Sequence, residues 1–326
     1  MYRVRKVIAL IIGLGIIVAS WVIGCQQSAE QRGTEISWFD QILRFVPGTK
    51  ASSKPRKEKT ITTKTGKLPR EIGSDDDFSK MILIPAGKFY MGTKDSIAQK
   101  IAMVYEVLFW EDELPRHLVE LDAYYIGKYE VSNSQYKKFV DLTGHKEPKY
   151  WKYPEFRQPY QPVIGVTWED AVEYCRWLSK QTGESYRLPT EAEWERAAAG
   201  RSGNMYPWGN EFGEDRLNFD SKIGKTTSVA DFPLGATASG IMNMAGNVAE
   251  WVVDWYAPNY YAECYTKGVV KNPQGPSTGT ERVYRGGSWN DWQLKNLGVR
   301  CAKRYSAPPD TTALAGLGFR CAKDVR

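Results

Sequence analysis

From residue 200 onward the chain offers almost no sustained periodicity. Gly, Pro, Asn and Trp recur every few residues, and neither a helical nor an alternating apolar pattern runs for long. A loop-rich segment of this length folds only where aromatic packing, disulfides or metals hold it together, because ordering each residue costs backbone entropy that few ladder hydrogen bonds offset. Arg300-Cys301-Ala302-Lys303 and Arg320-Cys321-Ala322-Lys323 echo one another within this stretch. Nothing else in the chain repeats, so they are expected to be two strands of one sheet rather than repeated domains.

The ordered segments lie earlier. Residues 26–80 are rich in Gln, Ser, Thr, Lys and Pro and read as a polar, basic tether. Its one apolar patch, at Trp38, Phe39, Ile42, Leu43, Phe45 and Val46, has helical spacing and suits either docking on a membrane or partner or packing on the protein's own domain. A domain over residues 81–326 opens with Met81–Pro85 and Phe89-Tyr90-Met91, which read as a hairpin, and continues with a strand through Leu118–Leu121. Three helices follow. One runs from about Ser132 to Leu142 and stops at Gly144; one starts at Thr167 with Asp170 three residues on; one starts at Thr190 with Glu193 three residues on and ends before Gly200.

Charge narrows the partners. Residues 1–80 carry 14 Lys or Arg against 8 Asp or Glu, which is the whole net charge of +6 and leaves 30 of each beyond residue 80. A phosphate-tracking surface would need its basic residues on the folded domain, so nucleic acid is not an expected partner. Arg3, Arg5 and Lys6 precede an apolar run from Val7 to Gly24 that ends at Cys25. Residues 1–25 thus look like a bacterial lipoprotein signal with Cys25 as the lipidated residue; a plain signal anchor is the alternative, since a run of roughly 18 apolar residues can just span a bilayer. Either way the domain is expected outside the cytoplasm, in the cell envelope, where disulfides persist. Cys175, Cys264, Cys301 and Cys321 allow three complete pairings, and the sequence chooses none of them.

Signals for catalysis are sparse. There is no phosphate-binding Gly-x-x-x-x-Gly-Lys-Ser/Thr loop, no Gly-x-Ser-x-Gly elbow and no Cys-x-x-Cys. The two histidines, His117 and His145, are expected to be structural or superficial. Glu191 and Glu193 resemble a carboxylate pair, but both fall in a first helical turn, where acids favour the dipole and Glu193 can cap.

Five blocks in order carry a resemblance: Arg187–Glu195, Pro207-Trp208-Gly209-Asn210, Asn243–Trp251, Arg285-Gly286-Gly287-Ser288-Trp289 with Arg300-Cys301-Ala302, and Gly318-Phe319-Arg320-Cys321-Ala322. With them, residues 81–326 resemble the formylglycine-generating enzyme (sulfatase-modifying factor) family. The resemblance implies an α+β fold related to C-type lectin domains and low in regular secondary structure. It also implies a copper-binding thiol pair spaced Gly-Gly-Ser-x-x-Cys-x4-Cys, whose positions here hold Asp291 and Asn296; Cys301, at the next family cysteine, is retained. A carboxylate and an amide are hard donors ill suited to Cu(I), and Asn296 cannot act as a thiolate, so copper and the family's oxidation are not expected.

The resemblance further implies a structural calcium held by Asn243, Gly246, Val248 and Glu250, a second beginning at Asn218 and Phe219 without an identifiable acid, and a Cys175–Cys321 disulfide that leaves Cys301 free or paired with Cys264. Hard oxygen donors on an irregular loop are what calcium prefers. The ligand surface of lectin-like relatives falls on Trp289, Asn290, Asp291, Trp292 and Gln293. A non-catalytic envelope lipoprotein that binds a protein, peptide or glycan, or serves structurally, is the leading expectation; a metal-dependent oxidoreductase with altered ligands is the alternative.

Overall fold

The structure is a computed structural model, and residues 68–99, 111–291 and 295–325 of it are described. The expected lipoprotein signal with Cys25, the apolar patch at 38–46, Trp292 and Gln293 lie outside those residues. Within them stand twelve strands and four helices whose two ends are both described.

All three expected helices form, and their ends are where local chemistry placed them. Helix α1 (Asn133–Thr143) is capped by the Ser132 hydroxyl, with Gln135 closing the box, and stops at Gly144 in the left-handed region. Helix α2 (Trp168–Thr182) starts from the Thr167–Asp170 box and stops at Gly183, also left-handed. Helix α3 (Glu191–Ala199) starts from the Thr190–Glu193 box. Each box satisfies two amide donors that the first helical turn leaves unpaired. The short helix α4 (Tyr260–Thr266) has no comparable cap.

The strands form three sheets. In the five-stranded sheet the order is β1 (Glu71–Ile72), β2 (Met81–Ile84), β5 (Tyr124–Gly127), β12 (Ala322–Asp324), β6 (Tyr186–Arg187). The four-stranded sheet is ordered β10 (Arg304–Ala307), β9 (Arg282–Arg285), β7 (Ala249–Trp255), β11 (Leu317–Gly318). The third holds β3 (Gly87–Met91), β4 (His117–Leu121) and β8 (Val270–Lys271).

Two expectations are corrected here. β2 and β3 are not a hairpin: β2 pairs with β1 and β5, whereas β3 pairs with β4. The echoed Arg-Cys-Ala-Lys segments are not two strands of one sheet either. Residues 301–302 form a turn leading into β10, while Ala322 opens β12 in the five-stranded sheet. What the echo preserves is a buried arginine in each copy, Arg300 on Glu113 and Arg320 on Glu250. Folded structure also begins ahead of Met81, because β1 pairs with β2 and Asp75 is bonded by Lys80, Lys128 and Tyr129.

Two large apolar clusters fill the space between the sheets and helices. One gathers Ile82, Phe89, Val119, Ile126, Trp194, Val252 and Val283; the other gathers Tyr136, Phe139, Tyr174, Trp251, Leu317 and Phe319. Every residue of α3 is buried, including Glu191, Glu193, Glu195 and Arg196. A helix so polar can be buried only if its charges are matched.

Candidate functional site

Arginines supply the match. Arg285, the last residue of β9, donates to Glu191 at 2.6 Å and to Glu195 at 2.5 Å, and it also holds the Cys301 carbonyl at 2.6 Å. Arg304 opens β10 and donates to both oxygens of Glu191 at 2.8 and 3.0 Å. Burial would raise the Glu191 pKa, but the two guanidiniums overcome it and hold the carboxyl ionised; burial leads for Glu195 and raises its pKa. Glu193 caps α3 as expected and also binds Arg187. Glu191, assigned from sequence to the helix dipole, belongs instead to this buried cluster. It signals packing of α3 onto β9 and β10, not acid–base chemistry.

This polar layer fixes where the chain leaves β9. Gly286 and Gly287 both take positive φ, +96° and +65°. A Cβ on Gly286 would stand 3.1 Å from the Trp194 ring, and one on Gly287 2.9 Å from the Gly298 carbonyl. Only glycine relieves both constraints. The next residues then close a tight turn in which the Ser288 amide donates to Asp291 Oδ2 at 2.6 Å and the Ser288 hydroxyl bonds Asn290 Oδ1 at 2.8 Å. Trp289 is partly buried against Phe156 and donates through Nε1 to the Ala315 carbonyl at 2.9 Å.

Between this turn and residues 313–317 lies a cleft of about 360 Å³ lined by Tyr284, Ser288, Asn290, Asp291, Tyr305 and Leu314 among others. Tyr284 and Tyr305 face one another across β9 and β10, their rings stacked at 5.2 Å. The opposite wall is pinned at three carbonyls: Tyr150 donates to Ala313 at 2.6 Å, Trp289 to Ala315, and the Ala249 amide to Gly316 at 2.7 Å. The cleft is therefore preformed. Burial raises the pKa of Asp291 against the hydrogen bonds from Ser288.

Of the residues singled out from sequence, Asn290 and Asp291 line the cleft. Trp289 braces its wall through Ala315. Asn296 stands in the short turn Lys295–Leu297. Cys301 is buried, and burial pushes its thiol well above the ordinary range, which leaves it protonated and unreactive. All four described cysteines are buried free thiols; Cys175 and Cys321 stand with their sulfurs 3.7 Å apart, and Cys264 and Cys301 are not joined. Ser288 was visible only as part of the Gly-Gly-Ser motif, and Tyr284, Tyr305 and the 313–317 wall were not read from sequence. The alternation of inward Val283 and Arg285 with outward Tyr284 is a signal that could have found Tyr284.

The two stretches implied for calcium do meet. Asn247 donates its amide to the Asn218 carbonyl at 2.8 Å. Asn243 and Asn247 donate side-chain amides to the two oxygens of buried Glu130 at 3.0 and 2.9 Å. Both oxygens of Glu250, however, are taken by Arg320 at 2.6 Å each, and Trp194 adds a third bond at 2.8 Å. A carboxylate neutralised in this way does not fit a calcium ligand. Asn218 fits better, because its Oδ1 is buried without a hydrogen-bond partner, as is Thr226 Oγ1. Val248 and Phe219 are buried, and the Gly246 amide donates to the Gly286 carbonyl at 3.0 Å.

The comparisons with known proteins agree with this geometry. Residues 69–325 match the sulfatase-modifying factor enzyme 1-like domain. The formylglycine-generating enzyme of Thermomonospora curvata is 35% identical over 312 residues, covering 78% of this chain and 95% of the relative. The formylglycine-generating enzyme of Bos taurus is 32% identical over 302 residues, covering 76% and 75%. Among solved structures, PvdO from Pseudomonas aeruginosa superposes with a TM-score of 0.64 at 27% identity, covering 80% of this chain and 100% of that one. The fold is C-type lectin-like, as these neighbours are. Through the Gly286-Gly287-Ser288 turn and the buried arginine layer beneath it, the chain belongs to the sulfatase-modifying factor family, that of the formylglycine-generating enzymes.

Proposed function

We propose that this chain is a ligand-binding member of its family that does not oxidise cysteine, carried on a lipid-anchored protein of the bacterial cell envelope with the domain outside the cytoplasm. The carrying observation is the state of the two positions that resemblance assigns to copper thiols. Asp291 spends one oxygen closing the turn with Ser288, Asn296 is an amide, and the retained Cys301 is a buried thiol held protonated. A soft metal finds no thiolate pair there. What persists is a preformed cleft with an aromatic floor and a polar rim, of a size in the range of about 300–1,000 Å³ usual for ligand sites. A peptide of an envelope protein is the occupant that suits it best: the stacked tyrosines offer flat apolar area at low entropy cost, while Asn290, Asp291 and Ser288 offer hydrogen bonds.

Calcium enters this reading as a structural ion held on the Asn218–Thr226 side of the network, where buried oxygens lack donors. Chelation is expected to lower the melting temperature of the wild type and to leave Asn218→Ala unaffected.

The deciding experiment is to incubate the full chain, in detergent, with Cu(I), oxygen and a cysteine peptide of the sulfatase type, and to weigh the peptide by mass spectrometry. Unchanged cysteine is the expected result. Formylglycine that disappears on replacing Cys301 by serine would reinstate an oxidase.

A further inference from the structure

We propose that the cleft beside Asp291 takes a primary ammonium group carried on an alkyl stem, as on a lysine side chain. The inference rests on the reading of the cleft as a binding site and adds the chemistry of what enters it. Asp291 is the one charged side chain among the described residues that line the cleft. Its carboxylate accepts from the Ser288 backbone amide, a neutral donor.

Four acids sealed in the core are each matched by an arginine, whereas two others buried there, Glu130 and Asp254, are held by neutral amides. Glu113 is held by Arg300 at 2.9 Å, Glu191 by Arg285 at 2.6 Å and by Arg304 at 2.8 Å, Glu195 by Arg285 at 2.5 Å, and Glu250 by Arg320 at 2.6 Å. Those pairs are sealed in the core. Asp291 is partly withdrawn from water, has no cation paired with it among the described side chains, and opens on a cavity. A desolvated carboxylate without a counter-charge is unfavourable, and a cation arriving from outside recovers that cost.

The walls select among cations. Oδ2 already holds the Ser288 amide at 2.6 Å, so the paired-oxygen edge that a guanidinium fork grips is partly spent. An ammonium is a compact charge that needs a single lone pair. Leading to the carboxylate are Tyr284, Tyr305, Leu314 and Leu317, apolar surface along which a four-carbon stem can lie while its head meets Asp291. The 313–317 wall is already pinned at three carbonyls, so little ordering cost falls on binding.

The test titrates the full chain with capped pentapeptides that differ only in carrying lysine, arginine or norleucine at the centre, with butylammonium as a competitor and Asp291→Asn as the variant. Asparagine keeps an acceptor oxygen for the Ser288 amide, and a thermal melt verifies its fold. The lysine peptide is expected to bind about ten-fold tighter than the norleucine peptide, the increment of one charge-assisted hydrogen bond, with arginine between them. Asp291→Asn is expected to bring the lysine peptide down to the norleucine level. Competition by butylammonium at matching concentration assigns the site to free amines; its failure to compete assigns the site to peptide-borne lysine. Equal affinity for lysine and norleucine overturns the ammonium proposal and leaves peptide binding standing. If no probe binds, the ammonium proposal falls, and conversion of the cysteine peptide in the oxidase experiment would take the binding reading with it.

Discussion

Arg285, Arg300, Arg304 and Arg320 are among the largest fully buried side chains of this protein, and all four end on carboxylates. Removing one partner of such a pair leaves a charge in the core with nothing to face, which costs far more than the pair itself contributes. Arg320→Met is therefore expected to lower stability by about 3–5 kcal/mol in urea denaturation. Adding Glu250→Gln recovers only part of that loss, because Arg320 also serves the carbonyls of Gly127 and Met242. A single-variant loss below about 1 kcal/mol would place the pair among surface-like contacts.

His117 behaves in the opposite sense at the same scale. It lies buried against Tyr261, rings 4.7 Å apart, and burial lowers its pKa, opposed by its bond to the Pro115 carbonyl. Of its charged neighbours, Glu191 pulls the pKa up and Arg304 pulls it down. The unfolded chain thus takes up the proton first as pH falls below about 6.5, and folded stability declines from there toward the native pKa. Melting temperatures taken from pH 7 to pH 5 should fall more steeply for the wild type than for His117→Gln; parallel curves would show that His117 contributes nothing to the acid slope.

Elements differ in how openly the sequence announces them. Two helix starts were legible because a capping box is written within four residues, Thr167 with Asp170 and Thr190 with Glu193; the Ser132–Gln135 box is a finding of the structure. Sheet membership was not. β5 receives both β2 and β12, so its partners lie some 40 and 200 residues away, and local alternation carries no record of them. The same limit hid the cleft floor, since Tyr284 meets Tyr305 only through the β9–β10 register. The Gly-Gly-Ser turn was visible as a motif, yet the wall it faces became apparent only when β11 paired in parallel with β7. That wall is tight: a Cβ on Gly316 would come within 2.6 Å of Ser288 Cβ and Oγ. Gly316→Ala is expected to cost about 1–3 kcal/mol of stability, as overpacking does, and to abolish binding in the cleft at temperatures where the variant remains folded. Retained peptide affinity in a folded Gly316→Ala protein would mean that ligands bind elsewhere.

For the whole molecule, charge and topology point the same way. The positive excess lies entirely within residues 1–80, and the remainder is balanced. Chain enters and leaves the domain through one sheet, with β1 at its edge and β12 beside β5, whereas the cleft is built on the four-stranded sheet that carries Tyr284 and Tyr305. The first and last strands thus share a sheet other than the one that carries the cleft. A basic segment alone would hold a protein to anionic membrane only until salt screened it, whereas two acyl chains on Cys25 would hold it regardless. Membranes from a bacterial host expressing the full chain should retain the protein through a high-salt wash, and mass spectrometry of its N-terminal peptide should show a chain starting at Cys25 with a diacylglyceryl thioether. A retained chain that still starts at Met1 would identify the apolar run from Val7 to Gly24 as a signal anchor, and release by salt would leave the basic segment as the attachment.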